Sequence, residues 1–212
     1  MSRPYGFILT EPRRLKRYIS LLAALTVTLF AVWGVLRYVA DIPPGDYQVR
    51  QGDILLSDGK YEEALLRFEE ALQNSPGHRG AMMGRAIAFL QSGRFEEAEA
   101  AFTELIGFIG RTLTVDDPTD WAALAAAHAN RGILHDRAGR HAEALADYRI
   151  ALTIDAEAVS GPGLIDRVLY GMPDPATVQK RADYLSRQLA LPEGERVLTR
   201  PELDARQRMH KP

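Results

Sequence analysis

The sequence predicts an all-α protein, a solenoid of about three helical hairpins closed by C-terminal capping helices and preceded by one membrane-spanning helix. Three observations carry this reading. An uncharged apolar run lies near the N-terminus, a pattern of marker residues returns after 34 and then after 46 positions, and the chain has no cysteine. Without cysteine there are no disulfides, thiolate metal sites or thiol catalysis, so packing alone must hold the fold. The 212 residues are 46% hydrophobic and 25% charged, an ordinary globular balance. Lys and Arg number 26 against 28 Asp and Glu, a net charge of -2, which offers no chain-wide basic field for a nucleic acid.

Residues 1–17 form a basic N-terminus, with Arg3, Arg13, Arg14, Lys16 and Arg17 against Glu11. Residues 18–40 follow as a signal-anchor helix. The nineteen residues from Tyr18 to Leu36 carry no charge, and at ~1.5 Å per residue they make roughly 28 Å of helix, close to the ~30 Å hydrocarbon core. A buried core helix would show a polar face, and this run offers only Ser20, Thr26, Thr28 and Gly34. A cleaved signal would need small residues at both -3 and -1 of the cut. Cuts after Ala31 or Ala40 place Leu29 or Tyr38 at -3. The basic flank precedes the run, so the N-terminus is expected in the cytoplasm and the body of the chain outside it. Trp33 and Tyr38 suit the interfacial belt at the exit, and Pro43-Pro44 stiffens a spacer over 41–45.

Residues 46–158 contain the repeated pattern. Gly52, Gly59, Tyr61, Ala64 and Phe68 return 34 positions later as Ala86, Gly93, Phe95, Ala98 and Phe102, and a third time as Gly132, Gly139, His141, Ala144 and Tyr148. The small residues let paired helices approach, the glycines permit a left-handed turn at a helix end, and the aromatics fill the space between hairpins. Glu62-Glu63, Glu96-Glu97 and Glu143 sit in the first turn of each second helix, where the dipole favours negative charge. Repeats are expected near 45–78, 79–112 and 125–158, with a twelve-residue insertion near 111–122. There Asp116-Asp117-Pro118-Thr119-Asp120 should end one helix and cap the next with solvated carboxylates.

The period and the residue types resemble the tetratricopeptide repeat, over about 110 of the 212 residues. The resemblance implies a concave face lined by the first helix of each hairpin and used to hold an extended peptide or a partner helix. Its candidate groove residues are Val49, Arg50, Asp53 and Leu56 in repeat one, Met83, Ile87 and Gln91 in repeat two, and Asn130, Ile133 and Arg137 in repeat three, with Gly84, Ala126 and Ala129 beside them. Members that clamp a terminal carboxylate use Lys, Asn and Arg at several of these places. Only Asn130 matches, so the Val, Leu, Met and Ile lining points to an apolar segment, with groove side chains facing solvent until it binds.

Residues 159–212 read as capping helices and a tail. A short helix is expected over Leu164 to Tyr170, then a second with Val178, Ala182, Leu185 and Leu189 on one face, then a polar stretch from Thr199 to Pro212 that is either solvated or a docking strap. His128 and His135 lie two turns apart on one helix but without a carboxylate on that face, and phosphate-cradling loops, nucleophile elbows and paired-histidine zinc motifs are lacking. No catalytic, cofactor or metal site is therefore assigned, and the chain is not expected to be an enzyme or to bind a small-molecule substrate. The function expected is a membrane-anchored protein-interaction module, a scaffold or assembly factor at the periplasmic face of a bacterial inner membrane. Two alternatives stand beside it: an accessory structural subunit of a membrane enzyme complex, and a periplasmic chaperone or cytochrome-biogenesis-type adaptor.

Overall fold

The computed structural model describes residues 12–40, 43–161, 176–200 and 209. The chain divides into two compact units, Met1–Pro43 and Pro44–Pro212. The residues 1–11 and the helix expected over Leu164 to Tyr170 lie outside the described residues.

The first unit holds α1, Pro12–Ala40. The helix starts six residues before the uncharged run, so Arg13, Lys16 and Arg17 sit on its first turns. From Leu15 to Arg37 it is long and apolar enough to cross a membrane, and none of its described side chains is buried. Its serine and threonine hydroxyls are satisfied within the helix: Ser20, Thr26 and Thr28 each donate to the carbonyl four residues back, at 2.9 Å. A side chain that bonds its own backbone tolerates surroundings without water. Arg37 stacks over the Trp33 ring at 5.5 Å.

The second unit is a run of antiparallel hairpins: α2 (Asp46–Ser57) with α3 (Tyr61–Asn74), α4 (Arg79–Gln91) with α5 (Phe95–Thr112), and α6 (Pro118–Arg137) with α7 (His141–Asp155). Helix α8 (Val178–Leu189) then packs on α7, and a 3-10 turn follows at Glu193–Glu195. From α3 onward each helix packs on its predecessor, and α4 also touches both α2 and α6 along one side.

The three hairpin turns share one construction. Gly59, Gly93 and Gly139 take φ of 73°, 80° and 76°. The next amide closes back on the third residue from the helix end, Lys60 to Leu55 at 2.8 Å, Arg94 to Phe89 at 2.9 Å and Arg140 to His135 at 2.8 Å. That bond satisfies carbonyls the ending helix would leave bare, and only glycine reaches the required left-handed backbone without strain.

Phe68, Phe102 and Tyr148 are fully buried, as are Ala64, Ala98 and Ala144. A Cβ on Gly52 would stand 2.5 Å from the Phe68 ring, and one on Gly132 would stand 2.7 Å from Tyr148. The small residues of the pattern are therefore spaces shaped for the aromatics. Helix α5 is four residues longer than α3, α6 is seven longer than α4, and the connection between them is one residue longer, which accounts for all twelve inserted residues. The insertion extends two existing helices and leaves only Leu113 to Asp117 between them.

One expectation there is overturned. Asp117 does cap α6, accepting from the Thr119 amide at 2.9 Å. Asp120, by contrast, is buried, where it accepts from the Thr114 amide at 2.8 Å and pairs with Arg79 of α4. It is a tie between repeats two and three, since a carboxylate removed from water requires such partners. Trp121 Nε1 donates to the Val115 carbonyl at 3.0 Å and fastens the same connection.

A candidate partner-binding groove

The thirteen positions of the expected groove are all on α2, α4 and α6, yet few face solvent. Arg50, Gln91 and Arg137 are exposed, and Asp53 and Leu56 are half-buried. Val49, Met83, Gly84, Ile87, Ala126, Ala129, Asn130 and Ile133 are buried, with Met83 at 3%, Ile87 at 2% and Asn130 at 0% exposure. The expectation that Met83 and Ile87 lie open is therefore not met. The cause is the close approach of the three inner helices. A Cβ on Gly84 would meet the Phe68 ring of the preceding hairpin at 2.4 Å, and Asn130 Nδ2 lies 3.4 Å from the Met83 sulfur across the α4/α6 seam. What stays open among these positions is polar: Arg50 within α2, and Gln91 and Arg137 at the ends of α4 and α6. A cleft of about 140 Å³ lies between α4, α5 and α6, lined by Arg79, Gly80, Met83, Leu105, Ile109, Thr119 and Ala123.

Two buried carboxylates, unassigned from sequence, organise the third repeat. Asp147 of α7 receives a two-pronged grip from Arg131, both contacts at 2.8 Å, together with His128 Nδ1 at 2.9 Å and His135 Nε2 at 3.4 Å. Asp136 of α6 receives the same grip from Arg181 of α8, at 2.6 and 2.7 Å, together with His141 Nδ1 at 2.9 Å and the Tyr148 hydroxyl at 3.3 Å. His128 and His135 thus do meet a carboxylate, from the facing helix. The Arg131 guanidinium fills the remaining side of it. Among the described residues no three His, Cys, Asp or Glu side chains form a group that could hold a metal ion. A sequence signal for Asp147 exists: it lies three residues beyond Ala144 and beside Tyr148, an acid on an apolar face. Asp136 had none, because its main partner comes from outside the repeats.

His78 links repeats one and two. Its Nδ1 accepts from the Ala81 amide and caps α4, so its Nε2 carries the proton donated to Asp46 at the start of α2, 2.8 Å away.

Titration of the third-repeat cluster has a definite sign. Burial lowers the His135 pKa, and Arg140 adds to the effect. Its Nδ1 is buried without a hydrogen-bond partner. Burial opposes ionisation of Asp147, but hydrogen bonds from Arg131 and His128 outweigh it and leave the carboxyl below its ordinary range. Both lowered values act in one direction. As pH falls below about 6.5 the unfolded chain takes up the His135 proton before the folded chain does, and below about 4 the same holds for Asp147, so stability is lost on acidification. We expect urea unfolding of the detergent-solubilised chain to show a larger loss between pH 7.5 and 5.5 than the same chain with His135→Gln. Equal losses in the two proteins would remove His135 from the account.

Residues 49–111 match the tetratricopeptide repeat family, which spans the first two hairpins. The chain carries tetratricopeptide repeats. The third hairpin, beyond the matched residues, repeats the same turn and the same aromatic-on-glycine packing. Among solved structures it is similar to the Arabidopsis OM64 TPR domain, at 19% identity over 66% of this chain and 94% of that one, with a TM-score of 0.46. No curated protein matches the sequence. Tetratricopeptide repeats form a protein-interaction scaffold.

Proposed function

We propose that the protein is a membrane-anchored tetratricopeptide interaction module that holds a segment or helix of a protein partner, as a scaffold or assembly factor at the periplasmic face of a bacterial inner membrane. The observation that carries this reading is the joining of two unlike units within one chain. One is a 29-residue helix with no described side chain buried between Leu15 and Arg37, and the other is a packed repeat domain with its own core. A helix that exposes Leu, Val, Phe and Trp along its whole length needs an apolar surrounding, which a bilayer supplies. The basic residues on its first turns favour a cytoplasmic N-terminus.

Topology is tested by reporter fusion in bacteria. Alkaline phosphatase joined after Pro212 should be active, and green fluorescent protein exported at the same place should be dark; the reverse pair would overturn the orientation. Partner binding is tested at the side chains that are open. A photo-reactive amino acid placed at Gln91 or Arg137 should crosslink a discrete protein band in native membranes, whereas the same probe at Glu63, on the exposed face of α3, should not. Indistinguishable patterns from both faces would sink the groove assignment.

A further inference from the structure

We infer that the outward stripe of α2, formed by Tyr47, Arg50 and Ile54, rests on the lipid surface, so that the bilayer itself closes the N-terminal end of the solenoid. Stacked hairpins leave a helix uncovered at each end, and each end needs a cover. At the C-terminal end the cover is α8, which buries Val178, Ala182 and Leu185 in the cluster of the third repeat. At the other end α2 is the first helix of its unit and packs on α3 and α4. Val49 and Gly52 of α2 are buried, and Tyr47, Arg50 and Ile54 follow one another at spacings of three and four residues, one stripe of a helix. Tyr47 is 63% exposed and Ile54 62%. Among the described residues no other helix of that unit has two exposed large apolar side chains: Leu66 and Ile150 stand one to a helix, and Val115, Leu191 and Val197 lie outside the helices.

What covers this stripe follows from the chain that leads to it. Residues 41–45 join the end of α1 at Ala40 to the start of α2 at Asp46, and even fully stretched they reach no farther than about 20 Å. The tether ends at a fixed point. Gly45 is buried with φ of 96°, a Cβ on it would stand 2.9 Å from the His78 ring, and its carbonyl accepts from the Val49 amide at 3.0 Å. Asp46 is held by His78 Nε2 at 2.8 Å. The tether therefore confines α2 to the neighbourhood of whatever surface α1 emerges from. The stripe has the chemistry of a lipid interface. A tyrosine ring with its polar tip suits the headgroup level, isoleucine enters the acyl boundary, and an arginine lays its apolar stem along the surface and offers its guanidinium to lipid phosphates. Arg50 pairs with no carboxylate among the described residues. Two apolar side chains would hold a free protein to a vesicle only weakly, but a tethered stripe never leaves the vicinity of the surface, so a weak contact is enough.

The inference rests on the reading of α1 as a membrane anchor, and the test separates the two. Because the chain has no cysteine, single introduced cysteines each report one site. The full chain with Tyr47→Cys, Ile54→Cys, Ile150→Cys or Leu29→Cys is labelled with an environment-sensitive fluorophore. Each is reconstituted into vesicles of phosphatidylethanolamine and phosphatidylglycerol, with and without a spin-labelled lipid that quenches the fluorophore from both leaflets. Leu29, within α1, reports the anchor, and Ile150, an exposed isoleucine of α7, is the control for apolar chemistry alone. A stripe sunk ~5–10 Å into the headgroup and acyl boundary brings the probes at 47 and 54 to the spin label, and their quenching should exceed that at 150 at least about twofold. Their emission should also be shifted to the blue of the probe at 150. Strong quenching at 29 with no more at 47 and 54 than at 150 would overturn the inference and leave the anchor standing, whereas no quenching at 29 would overturn both. A blue shift at 54 without quenching by lipid would mean a protein cover, from a second copy or a partner, and would overturn the inference as well. Circular dichroism establishes that each protein is folded, and positions 47 and 54 report independently, so one folded variant of the two carries the comparison.

Discussion

Replacing Arg181 with Met should cost about 3–5 kcal/mol of folding stability, because it leaves a carboxylate stranded inside the protein. Asp136 is 3% exposed at its side chain and Arg181 6%, and the guanidinium supplies two of the contacts on the carboxylate, at 2.6 and 2.7 Å. His141 and the Tyr148 hydroxyl remain, but the tight two-pronged partner is gone. The loss should be partly recovered by adding Asp136→Asn, since an amide needs no counter-charge. Urea unfolding measures both. The same change should loosen α8, because Arg181 also holds the Leu198 carbonyl. Amide hydrogen exchange in α8 should therefore accelerate more than exchange in α2 and α3, which lie at the other end of the unit. A cost below ~1 kcal/mol, or exchange that rises uniformly, would show that the pair is not what fastens the cap.

The contrast between what the sequence discloses and what it conceals follows from the range of each interaction. The hairpins are legible because their markers answer local demands: Gly59, Gly93 and Gly139 each close a turn within six residues, and each aromatic fills a gap left by a small residue a fixed distance away. The anchor is legible because charge is either present or absent along nineteen consecutive positions. The groove is different. Whether Met83 or Ile133 meets solvent depends on how closely α2, α4 and α6 come together, as the 3.4 Å approach of Asn130 to the Met83 sulfur across the α4/α6 seam illustrates. That is not a property of a single repeat. Asp120 shows the same division within five residues. The segment Asp116 to Asp120 reads as a cap, and Asp117 is one, but the partner that draws Asp120 inside is Arg79, 41 positions earlier.

Gly84 offers the sharpest test of how the inner helices meet, because the two readings of it differ in sign. At an open groove position in mid-helix, alanine would stabilise the protein by up to about 1 kcal/mol through helix propensity. In the structure a Cβ at Gly84 would stand 2.4 Å from two carbons of the Phe68 ring. The ring cannot retreat, since Phe68 is fully buried and the Cβ position of Gly52 lies 2.5 Å away on α2. Phe68 is held between two glycines of successive inner helices. Overpacking a closed core costs about 1–3 kcal/mol, and without an escape for the ring the upper end applies. Gly84→Ala should therefore destabilise by about 2 kcal/mol net, and Gly84→Val by more. Phe68→Leu alone should also destabilise, by leaving part of the ring's volume empty. In combination the new methyl occupies some of that volume, so the double variant should be more stable than the sum of the single changes by at least about 1 kcal/mol, a coupling expected only for residues in contact. The cycle is read from urea midpoints of the four proteins under one buffer condition. A stabilising Gly84→Ala, or additive changes, would place α2 and α4 farther apart than Phe68 allows and reopen the concave face as a bare groove.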